Sequence, residues 1–232
     1  MKEWIEHHKR ILQKVASALL AFMVGVCLVF MIHPVKTLPK DRLLSLSRMQ
    51  EDSQQFVASS SKEPALEDLL SLDLARGEGK VQKNWVTLSA FVKKIGKAAS
   101  FTQEDTSFGA QVQLGYGTPV KGIYPYKIEF HEQDGVFYLS AVQGFVPHSS
   151  LYKKKKDLKL ADFTGYQTLD GKKEKGTIVE EVLKKSGLPN SLSLTRTQDK
   201  HLLALSYQVT DGLVSLTFER DQSGQYRLSK KG

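Results

Sequence analysis

TLSAFVKKIGKAAS (Thr87–Ser100) and IVEEVLKKSGLPNS (Ile178–Ser191) are the stretches whose reading decides the fold. Lys93-Lys94, Gly96 and Ser100 of the first recur as Lys184-Lys185, Gly187 and Ser191 of the second at one constant offset. Phe91-Val92 matches Val182-Leu183 in apolar character, and the same offset pairs Leu114-Gly115-Tyr116 with Leu205-Ser206-Tyr207. A slip of a few residues aligns YKIEF (Tyr126–Phe130) with VSLTF (Val214–Phe218), and FYLS (Phe137–Ser140) with YRLS (Tyr226–Ser229). Matched segments in a fixed order are the mark of an internal repeat.

Each copy reads as a helix followed by strands. Thr177-Ile178-Val179-Glu180 has the pattern of a capping box, in which hydroxyl and carboxylate satisfy the free amides of a helix start. Gly187 then ends the helix with a left-handed turn that Pro189 prevents from continuing, and Gly96 ends its counterpart. Alternation of period two follows. Val112, Leu114 and Tyr116 oppose Gln111 and Gln113, and Tyr126, Ile128 and Phe130 oppose Lys127 and Glu129. Leu203, Leu205 and Tyr207 oppose Ser206 and Gln208, and Val214, Leu216 and Phe218 oppose Ser215 and Thr217. The expected fold is α+β: two repeats, each with short helices packed on one face of an antiparallel sheet. Short helical candidates precede each main helix, at Pro64–Ala75 and Leu158–Gly165.

The helix carrying Glu180–Pro189, then Ser206-Tyr207, the aromatic-closed strand Val214–Phe218 and the turn at Gly224, resembles the β-lactamase-inhibitor-protein-like fold. That resemblance covers about 64–231 and implies tandem copies in a small secreted or membrane-attached protein of Gram-positive bacteria. It implies no active site. The first copy departs from it, with Lys97-Ala98 where the second has Leu188-Pro189.

Upstream, Val15–Ile32 reads VASALLAFMVGVCLVFMI, without a charge. Eighteen helical residues span roughly 27 Å, close to the bilayer's apolar thickness of about 30 Å. The run is longer than a signal peptide's apolar region and lacks a small-x-small cleavage site, so an uncleaved, single-pass anchor is expected. Lys9, Arg10 and Lys14 lie before it, and Lys36, Lys40 and Arg42 after it. The tighter N-terminal cluster favours a cytoplasmic tail at 1–14 and an extracytoplasmic body. Residues 33–63 read as a stalk, 64–147 as the first repeat, 148–157 as a basic hinge and 158–232 as the second repeat.

The chain of 232 residues carries a formal charge of +8. That suits an anionic lipid or wall-polymer surface, and equally a soluble protein with no partner. Lys153–Lys156 is the sharpest charge feature: it reads as a contact with lipid headgroups or wall-polymer phosphates, or as a solvated hinge. Tyr152 alone beside it gives no nucleic-acid signature. Cys27 is the chain's single cysteine, so the body has no thiol and no disulfide. The histidines (His7, His8, His33, His131, His148 and His201) are scattered without metal-ligand spacing, and no nucleophile elbow or phosphate loop is present. Expected are no catalytic residues, no metal and no cofactor.

The polar sheet face remains as a candidate protein-binding surface: Gln111, Gln113, Lys127, Glu129 and Tyr138 in the first copy, Gln208, Ser215, Thr217 and Arg227 in the second. The leading expectation is a non-enzymatic interaction module at the cell envelope. The alternatives are a single-span assembly subunit of a type IV secretion or conjugation apparatus, and an enzyme that modifies wall polymers.

Overall fold

A computed structural model describes residues 53–75, 80–106, 109–145, 147–169, 176–197 and 200–232. The apolar run Val15–Ile32 lies outside them. Among the described residues no helix is long and apolar enough to cross a membrane.

The architecture is α+β. Helix α1 (Leu66–Leu70) and helix α2 (Leu88–Ile95) precede strands β1 (Ser100–Thr106), β2 (Gly109–Tyr116), β3 (Tyr126–Gln133) and β4 (Val136–Phe145). A 3₁₀ turn (Leu160–Phe163) and helix α3 (Val179–Ser186) precede β5 (Ser191–Arg196), β6 (His201–Val209), β7 (Gly212–Arg220) and β8 (Tyr226–Lys231). All eight strands form one antiparallel sheet in sequence order. Where the sequence suggests a sheet for each copy, β4 instead passes its outer edge to β5 over Ala141–Phe145, and the two sets fuse.

The alternating residues sort as expected. Val112, Leu114, Tyr116, Tyr126, Ile128 and Phe130 are buried on one face, as are Leu203, Leu205, Tyr207, Val214, Leu216 and Phe218. The helices lie over this face. Phe91 of α2 is fully buried and meets Tyr116 and Phe130 edge-on, with ring centroids 6.0 and 5.4 Å away. Val179, Val182 and Leu183 of α3 fill the matching place in the second half. Burying an aromatic or aliphatic side chain of this size contributes about 1.5–3 kcal/mol, which is what holds helices of only eight residues in place.

The halves share detailed hydrogen bonds. The Tyr116 hydroxyl donates to the Gly96 carbonyl (2.8 Å), and the Tyr207 hydroxyl to the Gly187 carbonyl (3.0 Å). Both glycines end a helix at positive φ, +108° and +74°. Bulges interrupt the register at Glu129/Phe130 and at Thr217/Phe218. At each bulge a serine hydroxyl, Ser140 or Ser229, donates to the carbonyl of Glu129 or Thr217 at 3.0 Å. Leu139 exchanges backbone bonds with Val86 and Ala75, as Leu228 does with Thr177 and Leu169.

Three local expectations change. The Pro64–Ala75 helix contracts to Leu66–Leu70, because Leu72–Ala75 continue as extended chain bonded to β4 through Ala75 N–H and Leu139 C=O. The Leu158–Gly165 helix contracts to the 3₁₀ turn. Thr177 does not cap α3. Its hydroxyl accepts from Gln167 N–H and its carbonyl from Leu228 N–H, so Ile178 becomes the N-cap without a side-chain bond. In the first half Thr87 does cap, accepting from Ala90 N–H at 3.2 Å. Residues 53–63, at the end of the segment read as a stalk, lie against the first half: Phe56 stacks on Phe101 and Ser61 accepts from Gly117 N–H.

Candidate functional site

The sheet face away from the helices is lined by the polar half of each alternation. Pairing registers place Thr102, Gln113, Glu129, Ala141, Thr195, Leu202, Glu219 and Arg227 in one row across eight strands. At about 4.8 Å per strand the row is roughly 34 Å long. The next row contains Gly115, Lys127, Gln143, Ser193, Ala204 and Thr217. Gln111 faces His131, and His131 faces Tyr138.

All five first-half candidates, Gln111, Gln113, Lys127, Glu129 and Tyr138, therefore share one surface. Lys127 and Glu129 form an ion pair on it at 2.8 Å, with 37% and 17% of their side chains exposed. Tyr138 lies at its border, edge-on to Trp85 with centroids 5.7 Å apart. Ser215 and Thr217 extend the surface into the second half, whereas Gln208 donates from Nε2 to the Gly212 carbonyl across the β6–β7 turn. Arg227 is committed locally: Nε donates to Asp221 Oδ2 at 2.6 Å and Nη2 to Gln225 Oε1 at 2.9 Å.

The structure adds residues that the alternation missed. Gly117–Pro125 joins β2 to β3, where the second half has only Thr210-Asp211 between β6 and β7. This longer loop is ordered by its own bonds. Val120 and Ile123 exchange backbone hydrogen bonds of 2.9 and 3.0 Å around Lys121 and Gly122, whose φ values of 51° and 80° make a tight reversal. At its base the Tyr124 ring covers Gly115 on the open face: a Cβ there would sit 2.6 Å from the ring. Val120 and Ile123 are 69% and 64% exposed, and Phe145, whose N–H donates to the Pro125 carbonyl, is 50% exposed. The signal available in the sequence was the unequal spacing of matched strands in the two copies.

Lys153–Lys156 are exposed, beside the C-terminus of α3. Lys153 C=O accepts from Leu188 N–H, and Lys155 Nζ donates to the Lys185 carbonyl at 2.7 Å. Cations at a helix C-terminus complement its dipole, so this run has a structural role whatever else it touches.

A polar cleft of about 330 Å³ lies between Asp73, His201, Arg220 and the turn Asp221–Gly224. Arg220 Nη1 donates to Asp73 Oδ1, joining the extended segment after α1 to β7. Burial, reinforced by Arg196 and Arg220 against the opposing Asp73, holds His201 down at about 4. The imidazole is thus neutral at pH 7. Among the described residues, no group of three or more His, Cys, Asp or Glu could hold a metal ion. His7, His8, His33 and Cys27 lie outside them.

No family model matches the chain, and no curated protein matches it. Among solved structures, the chain is similar to a candidate β-lactamase inhibitor protein from Streptococcus mutans, at 11% identity and a TM-score of 0.41, covering 82% of this chain and 96% of that one.

Proposed function

We propose that this chain is a membrane-anchored, extracytoplasmic protein-interaction module without catalytic activity of its own. In this reading Val15–Ile32 is the anchor, and the body is two copies of one β-lactamase-inhibitor-protein-like unit fused through β4 and β5. The paired hydrogen bonds of Tyr116 and Tyr207, and of Ser140 and Ser229, support the duplication.

The observation that carries the interaction reading is the divergence between the halves at the β2–β3 loop. A solvent loop costs nothing to shorten, and the second half closes the same strands with two residues. The first half instead holds a longer loop in a fixed reversal and leaves Val120, Ile123 and Phe145 exposed next to a broad polar sheet face. Exposed apolar residues clustered within a polar rim are the pattern of a protein–protein contact. The partner it fits is a folded protein with an apolar recess, its rim meeting Gln113 and the Lys127–Glu129 pair.

The test is quantitative capture of membrane proteins by the full chain and by its Ile123→Glu and Phe145→Glu variants. Burying a carboxylate at a central contact costs well over tenfold in affinity, so a specific partner is expected to be lost from both variants while their unfolding transitions stay unchanged. Retention of every captured protein by both variants, or turnover of a substrate by the purified chain, would overturn the reading.

A further inference from the structure

We infer that copies of this chain associate head to tail, β8 of one chain adding to β1 of the next in the register by which β4 meets β5 within a chain. The inference rests on the duplication proposed above, and not on partner capture by the open face.

β1 and β8 are the two edges of the sheet. β8 is the counterpart of β4: Leu228 faces Phe218 as Leu139 faces Phe130, and after the bulge Lys230 faces Thr217 as Ala141 faces Glu129. β1 is the counterpart of β5, because Ser100 and Thr102 face Gly115 and Gln113 as Ser191 and Ser193 face Ser206 and Ala204. Both edges are covered in part, and the covering stops short of the same place. Leu228 is bonded to residues 169 and 177, as Leu139 is to 75 and 86, and Ala98 is bonded to 56 and 58. In β4 the stretch beyond that cover, from Ala141 onward, is the one that receives β5.

Within the chain Ala141 faces Thr195, Val142 faces Leu194 and Gln143 faces Ser193. Carried over position by position, Lys230 of one chain faces Glu104 of the next, Lys231 faces Gln103, and Gly232 faces Thr102. Opposite charges directly across a strand pair are favourable, and like charges are not. Pairing β1 with β1 would set Glu104 and Asp105 of two chains in one seam, and β8 with β8 would do the same for Lys230 and Lys231. Lysines on an edge strand ordinarily discourage pairing; here they select an acidic edge. Such a contact is heterologous and leaves a free edge at each end, so it extends rather than closes. It is weaker than the internal seam, because Lys231 and Gln103 stand where Val142 and Leu194 are fully buried.

The test uses the full chain in non-ionic detergent with Cys27→Ser, in two differently tagged forms, Gly232→Cys and Thr102→Cys. Facing residues of an antiparallel pair lie about 4.5–5.5 Å apart at Cα, within the disulfide range of about 4.4–6.8 Å. Oxidation of the mixture is expected to give the mixed dimer in roughly tenfold excess over either homodimer. Adding Lys230→Glu to the first form or Glu104→Lys to the second should abolish that excess, and making both changes should restore it. Thr102, Glu104, Lys230 and Gly232 are all exposed, and Cys27→Ser is common to every form, which leaves folding out of the comparison. Homodimers as abundant as the mixed dimer, or a mixed dimer indifferent to the charge reversals, would overturn the proposal; neither result bears on capture of a partner at the open face.

Discussion

Replacing Gly187 with alanine should cost far more than replacing Gly96, although the two occupy matching positions at the ends of α3 and α2. Both combine positive φ with ψ near 180°: +74° and −163° at Gly187, +108° and 174° at Gly96. This region is open essentially to glycine alone, and a side chain there costs about 1–3 kcal/mol. At Gly96 nothing else is added, since a Cβ would meet nothing within 4 Å. At Gly187 the Cβ would sit 2.4 Å from the Lys153 carbonyl oxygen and 3.0 Å from Lys155 N, both backbone atoms. Relief requires moving residues 153–155 outward, which breaks the 3.1 Å bond from Leu188 N–H to Lys153 C=O. That bond and the forced shift together cost about 2–3 kcal/mol more. The expected losses are thus about 1–3 kcal/mol for Gly96→Ala and about 3–6 kcal/mol for Gly187→Ala, from a total on the order of 10. Urea unfolding followed by tryptophan fluorescence and circular dichroism measures both, and a difference of about 2 kcal/mol moves the midpoint by roughly 1 M. A Gly96→Ala loss equal to or above that of Gly187→Ala would refute the argument.

Tyr116→Phe and Tyr207→Phe should each cost about 1–2 kcal/mol, because each strands a helix-ending carbonyl, and each variant should still unfold in one transition, since the strands form one sheet. Two resolved transitions in either variant would show that the halves unfold separately. Acid should destabilise the protein in two windows. His201 is held near 4, against 6.5 when unfolded, so the unfolded chain binds the proton first; stability falls from about pH 6.5 to 4, by about 1 kcal/mol once screening of a half-buried group is counted. His201→Gln should flatten that window in a pH series of unfolding midpoints. Glu67 and Asp221 act lower. Burial pushes both carboxyls up, but hydrogen bonds from Ser150 to Glu67, and from Ser223 and Arg227 to Asp221, outweigh it and hold each at about 2. Their contribution, present above the unfolded values of 4.5 and 3.8, is lost as pH falls toward 2, and Glu67→Gln should remove part of that lower slope.

Much of the architecture is legible because period-two alternation and helix-ending glycines are local properties. Val112, Leu114 and Tyr116 had to share a face, and Gly96 and Gly187 had to end helices, whatever packed on them. Joining the strands into one sheet is not local: it depends on β4 running past its cover to offer Ala141–Phe145 to β5. Thr177 failed as a cap for a similar reason, since a capping sequence competes with tertiary partners and here Gln167 and Leu228 took its atoms. On the candidate site, alternation located Gln111, Gln113, Lys127 and Glu129. It passed over Val120, Ile123 and Phe145, because GTPVKGIYP reads as an ordinary turn until it is set against Thr210-Asp211 in the other copy.

The central claim is that the open sheet face of the first half is the working surface. A photo-crosslinking side chain placed singly at Gln113, Ile123 and Phe145, and for comparison at Lys94 and Lys184 on exposed helix positions and at Lys154 in the basic run, tests it in the native membrane. One discrete protein adduct common to Gln113, Ile123 and Phe145, and missing from the helix positions, is the expected result. An adduct confined to the helix positions or to Lys154, with none at Ile123 or Phe145, would contradict it.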